Sequence, residues 1–166
     1  EPAAHEPSTD VERMSASAMA EEMRQALEEM GIHDWRVLVV DEMSARMSVS
    51  ARHHEVRVKS DSNFSAVDRA RLIVHELKVH VQRACNGFST GLLNMGLGLS
   101  GYIATEEGLA SAMEERHGLL NASHFKMYAW RTLGVHLGHH YTFAEAFRSL
   151  MDHGASPSLA WDVTLR

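Results

Sequence analysis

The chain has 166 residues, 45% of them hydrophobic and 23% charged, with a formal net charge of −6. That size and balance fit one globular domain with a sizeable core. The acidic balance and the lack of a basic cluster exclude nucleic acid as the main partner, no apolar run reaches membrane-spanning length, and the single cysteine, Cys85, excludes an internal disulfide. Residues 1–10 lack the basic-then-apolar layout of a secretory signal, which points to a cytoplasmic location.

Residues 1–8 (EPAAHEPS) are polar, carry two of the three prolines and read as a flexible N-terminal segment. Residues 9–166 read as one domain. Thr9-x-x-Glu12 has the form of a capping box. It opens a helix with an apolar stripe of Val11, Met14, Met19, Met23, Leu27 and Met30, closed by Gly31. Three strands follow at 35–40 (WRVLVV), 45–50 (ARMSVS) and 54–59 (HEVRVK). In the last, charged residues alternate with Val56 and Val58, which predicts one buried face. The short links predict an antiparallel meander. His53 and His54 fall at a turn and read as surface residues.

Ser65-x-x-Asp68 is a second capping box, with Asp in place of Glu. The helix it opens runs to about Cys85, where Asn86-Gly87 reads as a C-terminal stop. This helix carries His75, Glu76 and His80 in the pattern H-E-x-x-x-H. Partners four apart share a face of a regular helix, whereas partners five apart diverge by roughly 140°. Both imidazoles reach one ion only if the helix is wound more loosely, so the spacing predicts a π-type distortion between Leu77 and Val79.

Residues 88–103 contain four glycines and read as an irregular connection, with Phe88, Leu92, Leu93 and Tyr102 as candidate pocket residues. In T-E-E-G-L-A (Thr105 to Ala110), Thr105 is a good N-cap and places Glu106 and Glu107 in the first turn of a helix. Neighbouring residues diverge by about 100°, so only one of the two carboxylates easily points at a shared ion. The other serves as a cap or as a partner to a ligand. Gly108 reads as the point of close approach between the two helices. Two imidazoles and one carboxylate suit a catalytic zinc with an open coordination position. Glu76 is placed to act as a base on water activated by that ion.

Asn121 caps a further helix to about Leu133. The stretch 134–141 (GVHLGHHY) follows, and one of His136, His139, His140 or Tyr141 is a candidate oxyanion donor. Thr142-x-x-Glu145 is a third capping box, and Ser156-Pro157 opens the last helix.

H-E-x-x-x-H, then Asn86-Gly87, then T-E-E-G-L-A together resemble the tyrosine carboxypeptidase-like family. That family includes the microtubule-associated tyrosine carboxypeptidases and bacterial proteins with a QEGLA motif. The resemblance runs from about Leu38 through Arg166. It implies that His75, His80 and Glu107 bind Zn2+, that Glu76 is the catalytic base, and that the substrate is a peptide or protein C-terminus, aromatic in the known cases. It also implies an α+β, zincin-like fold, a small antiparallel sheet packed beside a helical metal-binding core. This chain has Lys78 where the family usually has glycine, and family members usually begin earlier than Glu1 and continue past Arg166. An endopeptidase or peptide-maturation protease on the same site, and a catalytically disabled peptide- or metal-binding module, are the competing readings. Arg83, Arg131 and Arg166 are candidates to clamp a substrate carboxylate.

Overall fold

The computed structural model describes residues 13–165. The expected flexible segment 1–8 and the capping box at Thr9 lie outside the described residues. The fold is α+β, and the chain divides into two compact units, residues 1–119 and 120–166.

In the first unit, β1 (Met14–Ser15) leads into α1 (Ala16–Glu29). The helix starts where the Ser15 side chain accepts a hydrogen bond from the Ala18 N–H at 3.2 Å, an N-cap that satisfies one free donor of the first turn. Its inward stripe is Ala16, Met19, Ala20, Met23 and Leu27. Met14, expected on this stripe, instead pairs with Phe64 in the ribbon of β1 with β5 (Asn63–Phe64).

The strands β2 (Arg36–Val40), β3 (Met47–Ser50) and β4 (Glu55–Lys59) form one sheet in the order β2-β4-β3. β3 and β4 are antiparallel, with Val49 opposite Val56. β2 and β4 are parallel, with Val37 opposite Val56. The expected antiparallel meander is therefore corrected to a mixed sheet. Residues 41–54 give a connection long enough for the crossover that parallel pairing requires. Within it, β3 turns back as a hairpin on the far side of β4. Val56 and Val58 are fully buried, as their alternation predicts. They join Met19, Met23, Leu27, Phe64, Leu77 and Val81 in the core of this unit. Complete burial of a side chain such as Phe64 is worth about 1.5–3 kcal/mol.

The capping box at Ser65 is formed, with the Asp68 N–H donating to Ser65 Oγ at 3.1 Å and the Ser65 N–H donating to Asp68 Oδ2 at 3.1 Å. It opens α2 (Ala66–Leu72), which passes into a π-helical segment, Ile73–Val81, and then into α3 (Gln82–Phe88). α4 (Leu93–Leu97) and α5 (Tyr102–Arg116) complete the unit.

The second unit holds α6 (Ala122–His140), α7 (Phe143–Asp152) and α8 (Pro157–Leu165) around a core of Leu137, Ala146, Leu150, Ala155 and Ala160. α6 was expected to stop near Leu133 but runs on through Gly134 and Gly138. Each glycine costs about 1 kcal/mol in a helix. Gly134 lies against Val163, where a β-carbon would collide, so packing accounts for one of the two. Among the described residues, no helix is long and apolar enough to cross a membrane.

Candidate metal centre

The π-helical segment sets the geometry of the site. Its closing hydrogen bond runs from the Gln82 N–H to the Leu77 carbonyl, five residues back. Bonds of this period bring residues five apart onto one face. Ile73, Val74, Val79 and Val81 are β-branched and gain little from a regular helix, so the wider winding sacrifices little local stability. The distortion expected between Leu77 and Val79 is present and spreads over two turns. As a result, the rings of His75 and His80 meet edge to face with centroids 5.0 Å apart.

α5 places Glu107 opposite both rings. Its Oε2 lies 3.5 Å from His75 Nε2 and its Oε1 lies 3.4 Å from His80 Nε2. Charge-assisted hydrogen bonds between nitrogen and carboxylate are about 2.7–2.9 Å long, so the carboxylate stands off from both imidazoles. Ligands about 2.1 Å from a tetrahedral ion lie about 3.4 Å from one another. One ligand atom from each of His75, His80 and Glu107 can be chosen so that all three lie within 4.8 Å of one another. The separations match three donors around a single cation, and the donor chemistry suits a borderline divalent metal.

The other nitrogen of each ring faces a carboxylate. His75 Nδ1 lies 2.6 Å from Glu114 Oε1, which also accepts from Arg71 Nη1 at 2.9 Å. His80 Nδ1 lies 3.3 Å from Glu106 Oε1, which accepts from Arg83 Nε at 2.7 Å. Two arginine–glutamate–histidine chains therefore turn both Nε2 atoms toward Glu107. Burial works against a charged His75, but the hydrogen bond to Glu114 and the charges of Glu76, Glu114 and Glu107 outweigh it, and its pKa is raised.

Glu76 is buried beside the histidines. Burial pushes its carboxyl above the ordinary glutamate range, and the charges of His75 and His80 offset only part of that rise. A cleft of about 280 Å³ opens over it, lined on one side by Met47, Ser48 and Val49 of β3 and on the other by Arg83, Tyr102, Ile103, Glu106 and Glu107.

Residues 2–166 match the family described as microtubule-associated tyrosine carboxypeptidase. The chain belongs to this family. The match extends to residue 2 the resemblance that the motifs carry from Leu38 onward. No curated protein and no solved structure matches the chain.

Several expectations about the site's surroundings are corrected. Thr105 does not cap α5, which begins at Tyr102 after Gly101 in the left-handed region (φ +82°). Gly108 faces open space; the fully buried residues of α5 are Ala110 and Glu114. Asn86-Gly87 lies within α3 rather than ending it. Gly87 serves close packing, since a β-carbon there would strike the Met95 carbonyl of α4. The connection 88–103 contains α4 and is not irregular throughout. Of its four candidate pocket residues, Tyr102 lines the cleft, while Leu92 and Leu93 are exposed and Phe88 packs against His54. Lys78 is exposed and lines a different cleft, against Glu22, Gln25 and Glu29 of α1. His136, His139, His140 and Tyr141 belong to the second unit, on α6 and at its C-cap. Sequence reasoning passed over Arg71 and Glu114. Arg71 lies one helical turn before His75, a period that marks it as a neighbour of that ring, whereas no spacing within α5 singles out Glu114.

Proposed function

We propose that this chain is a zinc-dependent carboxypeptidase that removes a C-terminal residue, with a preference for an aromatic one, from a peptide or protein. The observation that carries this reading is the ion-sized gap between Glu107 and the two imidazoles, in a chain of a family described as tyrosine carboxypeptidases. His75, His80 and Glu107 would hold the zinc. When bound, zinc supplies Lewis acidity that polarises a peptide carbonyl and acidifies water.

Glu76 is the general base. Its raised pKa brings it nearer to neutral pH, where a base works most efficiently. It takes a proton from the attacking water and returns it to the departing amine. β3 forms an edge of the sheet and lines the cleft, so an extended substrate can add to it as a further strand. This pairing of a sheet edge with a helix bearing His-Glu supports a zincin-like reading of the fold. Among the described residues, Arg83 is the one arginine or lysine lining the cleft, and we assign it to the substrate's terminal carboxylate. Arg131 lies in the second unit, and Arg166 lies outside the described residues. Met47, Val49, Ile103 and the Tyr102 ring provide apolar lining for an aromatic side chain.

The test is mass spectrometry of peptides incubated with the zinc-loaded parent and with Glu76→Gln. Single-residue trimming by the parent, lost in a variant that retains zinc, is the expected result. Internal cuts would replace the carboxypeptidase reading with the endopeptidase one. Equal hydrolysis by both proteins would reject Glu76 as the base.

A further inference from the structure

Glu114 is fully buried. A buried carboxylate is costly unless it is paired and hydrogen-bonded. Its Oε1 accepts a hydrogen bond from Arg71 Nη1 at 2.9 Å and lies 2.6 Å from His75 Nδ1. The short contact fixes which ring nitrogen carries the proton when the imidazole is neutral, because a carboxylate only accepts. With the proton on Nδ1, the lone pair of His75 sits on Nε2, the atom that faces Glu107 at 3.5 Å. The carboxylate thus selects the one tautomer of His75 able to ligate in the direction of the gap.

We infer that Glu114 is a positioning residue, which locks the ring orientation and tautomer of His75 for metal binding while Arg71 offsets its charge. This rests on the zinc reading above. Carboxylates in this relation to a ligating histidine raise its basicity, and their loss typically lowers metal affinity 10- to 100-fold. A purely structural role competes with this: Arg71 and Glu114 could serve only as an ion pair tying α5 to α2. The two roles separate when both charges are removed together. Removing one partner of a buried pair leaves an uncompensated charge, whereas removing both is often neutral for stability.

The experiment measures zinc affinity by competition with a chromogenic chelator, and thermal unfolding of the metal-free protein, for the parent, Glu114→Gln and Arg71→Met/Glu114→Gln. Expected is a zinc affinity lowered about 10- to 100-fold in both variants, with unfolding close to the parent's in the double variant. Parental affinity in either variant overturns the positioning role.

A second readout needs no variant. Long-range ¹⁵N–¹H correlation spectra of the metal-free parent, at a pH where His75 is neutral, should place its proton on Nδ1. A proton on Nε2 overturns the inference directly. His75→Ala separates this inference from the reading beneath it. If that variant loses zinc while Glu114→Gln keeps full affinity, only the role of Glu114 fails. If it still binds stoichiometric zinc, both fail.

Discussion

His75 and His80 stand five residues apart, yet their rings meet with centroids 5.0 Å apart and an interplanar angle of 64°. The π-helical winding achieves this with Lys78 at its centre, pointing away from the cleft. The family's usual glycine is therefore not required for the distortion. Lys78→Gly is expected to lower stability by about 1 kcal/mol, the ordinary cost of glycine in a helix, and to leave zinc affinity unchanged. Chemical unfolding and chelator competition on the same samples measure both. A tenfold gain in zinc affinity would show that the lysine had weakened the site.

Arg83 is engaged by several neighbours. Its Nε donates to Glu106, which faces His80, and its guanidinium lies over the Tyr102 ring, 5.1 Å from the centroid. As a carboxylate clamp it should discriminate a free C-terminus from an amidated one. Arg83→Lys is expected to raise KM for the free-acid peptide at least tenfold and to erase the preference over the amide. Steady-state kinetics on the matched pair decide this. An undiminished preference for the acid would remove Arg83 from substrate recognition.

The raised pKa of Glu76 makes a prediction about stability as well as catalysis. A carboxyl whose folded pKa exceeds its unfolded value binds its proton more tightly in the folded state. Its contribution is fully present below the ordinary glutamate pKa and is lost as pH rises through the raised folded value. Metal-free Glu76→Gln is therefore expected to melt above the parent at pH 8 and to match it near pH 4. Melting curves at the two pH values check this. A variant equally shifted at both would deny that ionised Glu76 carries the cost.

Gly87 is the point where α3 touches the backbone of α4. Gly87→Ala forces a methyl against the Met95 carbonyl and is expected to destabilise by about 1–3 kcal/mol, the usual cost of overpacking. Because Arg83 also donates to the carbonyls of Met95 and Gly96, the same change should raise KM. A variant as stable as the parent would mean that α4 yields freely.

The parts of the site that sequence carried were those with local causes. His75, Glu76 and His80 lie on one segment, and their spacing alone demands a looser helix. T-E-E-G-L-A is contiguous, and the capping boxes at Ser65 and Thr142 are four-residue affairs satisfied by their own backbone. What escaped has distant causes. Glu114 meets His75 across 39 residues, and no local rule selects it from the other acids of α5. The parallel pairing of β2 with β4 depends on where β3 folds back, which the alternation of Val56 and Val58 leaves open. Gly87 and Gly134 carry a stop signal in isolation, and packing partners brought in by the tertiary fold override it.

The central claim is that His75, His80 and Glu107 enclose one zinc ion. Elemental analysis of the purified parent beside His80→Ala tests it most directly. The account predicts stoichiometric zinc in the parent and a loss of affinity of several orders of magnitude in the variant. Equal zinc content in the two proteins at sub-stoichiometric free zinc would contradict it.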